Sequence, residues 1–189
     1  MDTKEKALLL ILARKTIGSA LGEEQRENGI FLETPLPKSL EASHHGVFVT
    51  LKEKNSENRL RGCIGNIIGT KPLYKMVKEL AIEAAFHDPR FPSVQIGELD
   101  NLTIEISVLT TPREIGSLDL FVPGRDGILL TLGFSRAVFL PQVATEQGWG
   151  KQEMLENLCL KAGLAPNSWQ YPACRFETFQ AIVFSEDDQ

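Results

Sequence analysis

Gly46-Val47-Phe48-Val49-Thr50-Leu51-Lys52, followed by Arg59-Leu60-Arg61-Gly62-Cys63-Ile64, is the stretch on which the fold turns. In the first run Val47, Val49 and Leu51 alternate with Phe48 and Thr50. That period of two is the mark of a strand with one buried face. Glu53 to Asn58 is a polar turn, and the chain returns through Arg59 to Ile64, so the two runs are read as a hairpin. If alternation continues through the second run, Arg61 and Cys63 share one face, while Leu60 and Ile64 turn to the other, toward a core.

Outward from the hairpin the pattern changes to helices and further strands. Upstream, Lys4 to Leu21 reads as a helix that stops at Gly22, and Glu23 to Ser43 as a long polar loop. Downstream, Thr70 and Pro72 suggest a helix start with a hydroxyl cap. Leu73, Met76, Val77, Leu80, Ala81 and Ala84 then recur on one helical face. The run His87-Asp88-Pro89-Arg90-Phe91-Pro92 ends that helix, because a residue before proline avoids helical geometry. Leu102, Ile104, Ile106 and Val108 alternate with Thr103, Glu105 and Ser107 in a half-buried strand. Gly127 to Leu132 and Arg136 to Leu140 read as a second hairpin turning near Gly133. Lys151 to Ala162 reads as a helix capped by Gly163, and Arg175 to Phe184 as a last strand. Hairpins and helices both separate the strands, so the residues alone point to a mixed β-sheet flanked by helices.

Composition sets the outer bounds. The chain of 189 residues is 42% hydrophobic and 24% charged, enough for a real core in one large domain or two small subdomains. The formal net charge of −5 disfavours a broad nucleic-acid-binding face, which usually makes a domain basic. Cys63, Cys159 and Cys174 are odd in number and far apart, which argues against a disulfide framework and for a reducing, cytoplasmic setting. The apolar run Ala7 to Ala13 is too short to span a bilayer, and Asp2 and Glu5 before it do not suit a signal peptide. The cysteines and the pair His44-His45 lack zinc-ligand spacing, so no metal site is expected. The acidic tail Glu186-Asp187-Asp188 reads as solvated. Trp149 and Trp169 read as packing residues.

The segment Leu60 to Gly65 carries the chemistry-bearing residues. A guanidinium near a thiol favours the thiolate, so Arg61 beside Cys63 would suit a reactive cysteine. Gly62 and Gly65 leave room for a ligand or another backbone to approach. Equally, a cysteine here can be a small buried apolar residue, and glycines at a strand end can serve a bulge. Farther on, Arg61 and Lys71 near the helix start at Pro72 would suit a carboxylate or phosphate. Asp88 could handle a proton, or cap a turn with Arg90 as its ion-pair partner. Glu105, on the polar face of its strand, could line a cleft or be solvated.

Leu60-Arg61-Gly62-Cys63-Ile64-Gly65 resembles the signature of the AMMECR-one domain family, whose bacterial and archaeal members are called AmmeMemoRadiSam system protein A. The match continues through Asp88-Pro89-Arg90-Phe91, Glu105 to Leu109, Gly124 to Gly127, Leu140-Pro141-Gln142-Val143-Ala144, Trp149 and Leu158 to Leu164. Ala137 stands where the family pattern has glycine, and His87 lies outside the motif that begins at Asp88. The resemblance implies one domain over residues 1–189, with an α+β fold of two subdomains and a cleft between them. It implies Memo-type and radical SAM proteins as partners, and no settled reaction or cofactor. The resulting candidates are Cys63, Asp88 and Glu105 for catalysis, and Arg61, Gly62, Gly65, Arg90 and Gln142 for an unknown small ligand. A non-catalytic binding or scaffold module is the alternative.

Overall fold

A computed structural model describes residues 1–22, 37–54 and 59–188. The chain divides into two compact units, one of residues 1–108 with 182–189 and one of residues 109–181. The class is α+β. The strands do not join in one mixed sheet. They form two antiparallel sheets of four, because each unit buries its own set of apolar faces.

The first unit opens with α1 (Thr3–Ala20), held at its start by a reciprocal cap. The Glu5 amide donates to the Asp2 carboxylate at 2.8 Å, and the Asp2 amide donates to Glu5 at 2.9 Å. Gly22, with a φ of 81°, follows the helix end, where a side chain would be strained. Within the expected loop Glu23–Ser43, residues 23–36 lie outside the described residues. Lys38–Ala42, by contrast, is a short helix, α2, whose Leu40 enters the core. β1 (Gly46–Glu53) and β2 (Arg59–Asn66) form the expected hairpin; its turn, at residues 55–58, lies outside the described residues. α3 (Leu73–Ile82) and β3 (Leu102–Leu109) follow, and β8 (Ala181–Ser185) completes a sheet of order β2-β1-β3-β8.

Val47, Val49 and Leu51 of β1 join Leu102, Ile104 and Ile106 of the neighbouring β3 and the apolar stripes of α1 and α3 in one core. Each such side chain withdrawn from water contributes about 1.5–3 kcal/mol, and that burial fixes which face of the sheet turns inward. Thr70 does not cap α3. Its hydroxyl donates toward the Met76 sulfur, Pro72 occupies the cap position, and the Leu73 amide donates to the Ser43 carbonyl at 2.9 Å. The acidic tail is not merely solvated. Arg14 donates to the Glu186 carboxylate at 2.5 and 2.6 Å, and to the Leu99 and Leu102 carbonyls, while Glu186 also accepts from the Ile104 amide at 2.8 Å.

The second unit holds β4 (Arg113–Glu114), β5 (Gly127–Leu132), β6 (Ser135–Phe139) and β7 (Arg175–Phe179), in the order β4-β7-β5-β6. α4 (Gln142–Gln147) and α5 (Lys151–Lys161) supply Ala144, Met154, Leu155, Leu158 and Cys159 to a second core. The β5–β6 hairpin turns at Gly133, with a φ of 59°. Ala137, the departure from the family pattern, is simply a buried β6 residue of that core. Trp149 packs against the Phe139 ring at 5.8 Å, and both tryptophans line this core. The expected single strand Arg175–Phe184 is two strands, β7 and β8, in different sheets. It breaks at Gln180, whose amide donates to the Thr110 hydroxyl at 2.9 Å and whose carbonyl accepts from the Thr110 amide at 2.8 Å.

Candidate functional site

The hairpin register decides what stands beside Cys63. Leu51 opposes Gly62, but Lys52 opposes Leu60, so Arg61 is an extra residue in β2. Such a β-bulge interrupts the alternation of faces and re-aims its side chains. Leu60 therefore does not enter the core. It stands across from Lys52 and is 37% exposed. Ile64, across from Val49, does pack on the core.

Arg61 goes elsewhere as well. Its Nη1 donates to the Pro92 carbonyl at 2.8 Å, and its Nε and Nη2 donate to the Glu98 carboxylate at 3.1 Å each. With a side chain 7% exposed, it is a buried tie between β2 and the segment after α3. Glu98 is held below the ordinary carboxylate range: burial opposes this, but the hydrogen bonds from Arg61 and the Gln95 amide prevail. Gly62 lets that segment come close. α3 ends in a π-helical turn, Glu83–His87, and a side chain on Gly62 would run into the Ala84 carbonyl oxygen. The space beside Gly62 is filled by another backbone, not left for a ligand. A side chain on Gly65 would meet the ring of Phe48, its cross-strand partner.

The arginine at Cys63 is Arg90. The π-helical turn delivers Asp88 in extended geometry at its end, with φ −70° and ψ 112°. The Asp88 carboxylate accepts from the Cys63 amide at 2.8 Å and the Arg90 amide at 3.1 Å. It also accepts from Arg90 Nε at 2.9 Å and Nη2 at 2.7 Å. Arg90 Nη2 donates in turn to the Cys63 carbonyl at 3.0 Å. The Arg90 hydrogen bond, with those from the two amides, outweighs burial and holds Asp88 down at about 2. Arg90 is held above its ordinary value, first by its hydrogen bond to Asp88, and further by its side-chain contact with Cys63. Asp88 is thus an ionised clamp at neutral pH, only 1% exposed, that fixes both the Cys63 backbone and the Arg90 head. Arg90 remains 54% exposed and lies 5.4 Å over the Phe91 ring.

Cys63 itself is half-buried and is not joined in a disulfide. Thr50, its cross-strand partner, donates its hydroxyl to Cys63 Sγ at 3.3 Å. Glu105 pairs with Lys52 at 2.8 Å. Lys71 pairs with Glu79 at 2.7 Å and Arg61 with Glu98, so both cations already have carboxylate partners. His87 pairs with Glu83 on the exposed surface. Gln142 opens α4 in the second unit and is half-buried. The residues brought together are therefore Cys63, Asp88 and Arg90, with Thr50 added. Thr50 carried one signal in the sequence, a hydroxyl between the apolar Val49 and Leu51, but its pairing depends on a register that the bulge sets.

Burial pushes the Cys174 thiol up to about 11 and raises Cys159 as well, so both stay protonated at neutral pH. Cys174, Tyr171 and Arg175 line a cavity of about 390 Å³ in the second unit, to which no candidate residue contributes. Among the described residues, no group of three or more His, Cys, Asp or Glu could hold a metal ion. None of the described helices is long and apolar enough to cross a membrane.

Comparison with known proteins agrees with this architecture. The crystal structure of an uncharacterized protein from Pyrococcus horikoshii superposes with a TM-score of 0.89 at 36% identity, covering 99% of this chain and 94% of that one. A protein of Methanopyrus kandleri is 41% identical over 195 residues, covering 100% of this chain and 91% of the relative. One of Methanothermobacter thermautotrophicus is 47% identical over 148 residues, covering 75% of this chain and 76% of the relative. The AMMECR1 family model matches residues 10–184. With nearly its whole length matched, the chain belongs to the AMMECR1 family.

Proposed function

We propose that the Cys63 thiol, with the Arg90 guanidinium beside it, is the working group of an enzyme or catalytic subunit acting on a small or anionic substrate. The observation that carries this reading is the Asp88 clamp. One buried carboxylate holds both the Cys63 amide and the Arg90 side chain, whose Nη2 also donates to the Cys63 carbonyl, so a fixed cation stands beside the residue that carries the half-buried thiol. A neighbouring cation favours the thiolate, the nucleophilic form. The exposed part of Arg90 is suited to an anionic group on the substrate. Such a thiol works best in a reducing compartment, in keeping with a cytoplasmic protein. Memo-type and radical SAM proteins, the setting implied by the sequence resemblance, are the partners this enzyme would serve.

Alkylation by iodoacetamide across pH, followed at Cys63 by mass spectrometry, tests the reading. Cys63 should react faster at neutral pH than a free model thiol, and Arg90→Gln should remove most of that advantage. Wild-type reactivity no greater than the model thiol sinks the proposal. A second reading, a non-catalytic binding module, draws on Asp88 and Glu105. Both carboxylates are held in ion pairs, Asp88 with Arg90 and Glu105 with Lys52. In that case Arg90→Ala would abolish capture of a Memo-type partner while Cys63→Ser left it intact. Equal capture by all three proteins would remove it.

A further inference from the structure

Resting on that reading of Cys63, we infer that Thr50 is a positioning residue of the same site, its hydroxyl holding the sulfur in place and stabilising it as the thiolate. Thr50 is the residue of β1 directly opposite Cys63, on a strand flanked on both sides by others of its sheet. Directly opposed residues bring their Cβ atoms to about 4.5–5.5 Å, close enough for one side chain to reach the next. The β-branched side chain has few rotamers, so the ladder that fixes the Thr50 backbone also aims its hydroxyl. That hydroxyl lies 3.3 Å from Cys63 Sγ.

Burial gives the contact its consequence. Thr50 is 5% exposed, so its hydroxyl has little recourse to bulk water and is obliged to find a partner inside the protein. The partner it has is the sulfur. A neutral thiol is a weak acceptor and a thiolate a strong one, so a donor fixed at this distance favours the charged form. Arg90 approaches the same residue from the α3 side, through the Cys63 carbonyl. Cys63 is thus held by Thr50 across the strand pair and by Asp88 and Arg90 from the loop after the π-helical turn. The two supports are carried by different elements, so each can be removed without the other.

Thr50→Val keeps the shape and removes the hydroxyl; Thr50→Ser keeps the hydroxyl and removes the methyl. The measurement is the pH profile of Cys63 alkylation, with thiolate absorbance near 240 nm as a second readout. Thr50→Val should move the midpoint of the profile up by about half to one pH unit. The rate at neutral pH should fall by roughly two- to fourfold, because a more basic thiolate is also more nucleophilic and returns part of the loss. Thr50→Ser should stay close to wild type. A Thr50→Val profile that overlays wild type, while Arg90→Gln shifts it, overturns the role of Thr50 and leaves the thiol reading standing. If wild-type Cys63 reacts like a model thiol, the thiol reading fails and the role of Thr50 with it. Should Thr50→Val not fold, Thr50→Ala against Thr50→Ser asks the same question, and coincident profiles for that pair overturn the inference.

Discussion

Replacing Asp88 by Asn removes one negative charge and almost no volume, and it tests the clamp directly. The wild-type carboxylate accepts four hydrogen bonds, from the Cys63 amide, the Arg90 amide and two guanidinium nitrogens. Asparagine keeps an acceptor for the Cys63 amide but points N–H donors at the donors of Arg90. The carboxyl sits at about 2 in the folded chain against an ordinary 3.8. At about 1.4 kcal/mol per pH unit, that depression contributes about 2 kcal/mol of stability. Because the folded value is the lower one, the contribution is complete above about 3.8. It fades as pH falls toward 2, where both states are protonated. Asp88→Asn should therefore cost about 2 kcal/mol at pH 7, and the gap to wild type should close between pH 4 and pH 2.

Urea unfolding gives the numbers, with one precaution. Trp149 and Trp169 both belong to the second unit, so their fluorescence does not report on Asp88. Far-UV circular dichroism, where α1 and α3 contribute, is the better signal, joined by hydrogen exchange of the Cys63 amide. A loss under about 0.5 kcal/mol at pH 7, or a gap that persists unchanged to pH 2.5, would refute the clamp, since an unpaired carboxylate gives the first and a purely steric effect the second.

Three further outcomes separate the roles assigned above. Arg61→Met should lower stability by about 2–3 kcal/mol, less than the loss of a fully buried pair because Glu98 can be rehydrated; it should leave the Cys63 alkylation profile within twofold of wild type, and a profile displaced as far as that of Arg90→Gln would return Arg61 to the site. Gly62→Ala forces a methyl group onto the Ala84 carbonyl; it should cost about 1–3 kcal/mol by denaturant unfolding, and a cost near zero would mean that the π-helical turn yields easily. Peptide mapping after brief labelling at pH 7.5 should find the label on Cys63 ahead of Cys159 and Cys174, both raised by burial; label arriving first at Cys174 would contradict that ordering.

Local patterns carried much of this protein on their own. The apolar stripe of Leu73, Met76, Val77, Leu80, Ala81 and Ala84 required a helix, and the alternation from Leu102 to Val108 required a strand. All of these side chains are buried, because periodicity is set by backbone geometry and needs no knowledge of the partner surface. Most of the element order was legible for the same reason, whereas the α+β class came from the family resemblance, which also strengthened the attention on residues 60–65 and 88–91. What alternation could not carry was the bulge at Arg61. A single extra residue in β2 leaves composition unchanged, yet it sends Leu60 to the surface and Arg61 to Glu98. Nor could it show that Arg90, twenty-seven residues after Cys63, donates to the Cys63 carbonyl, or that Thr50 donates to the Cys63 sulfur. Those pairings are set by cross-strand register and by the length of a π-helical turn, and both are settled only when the elements pack.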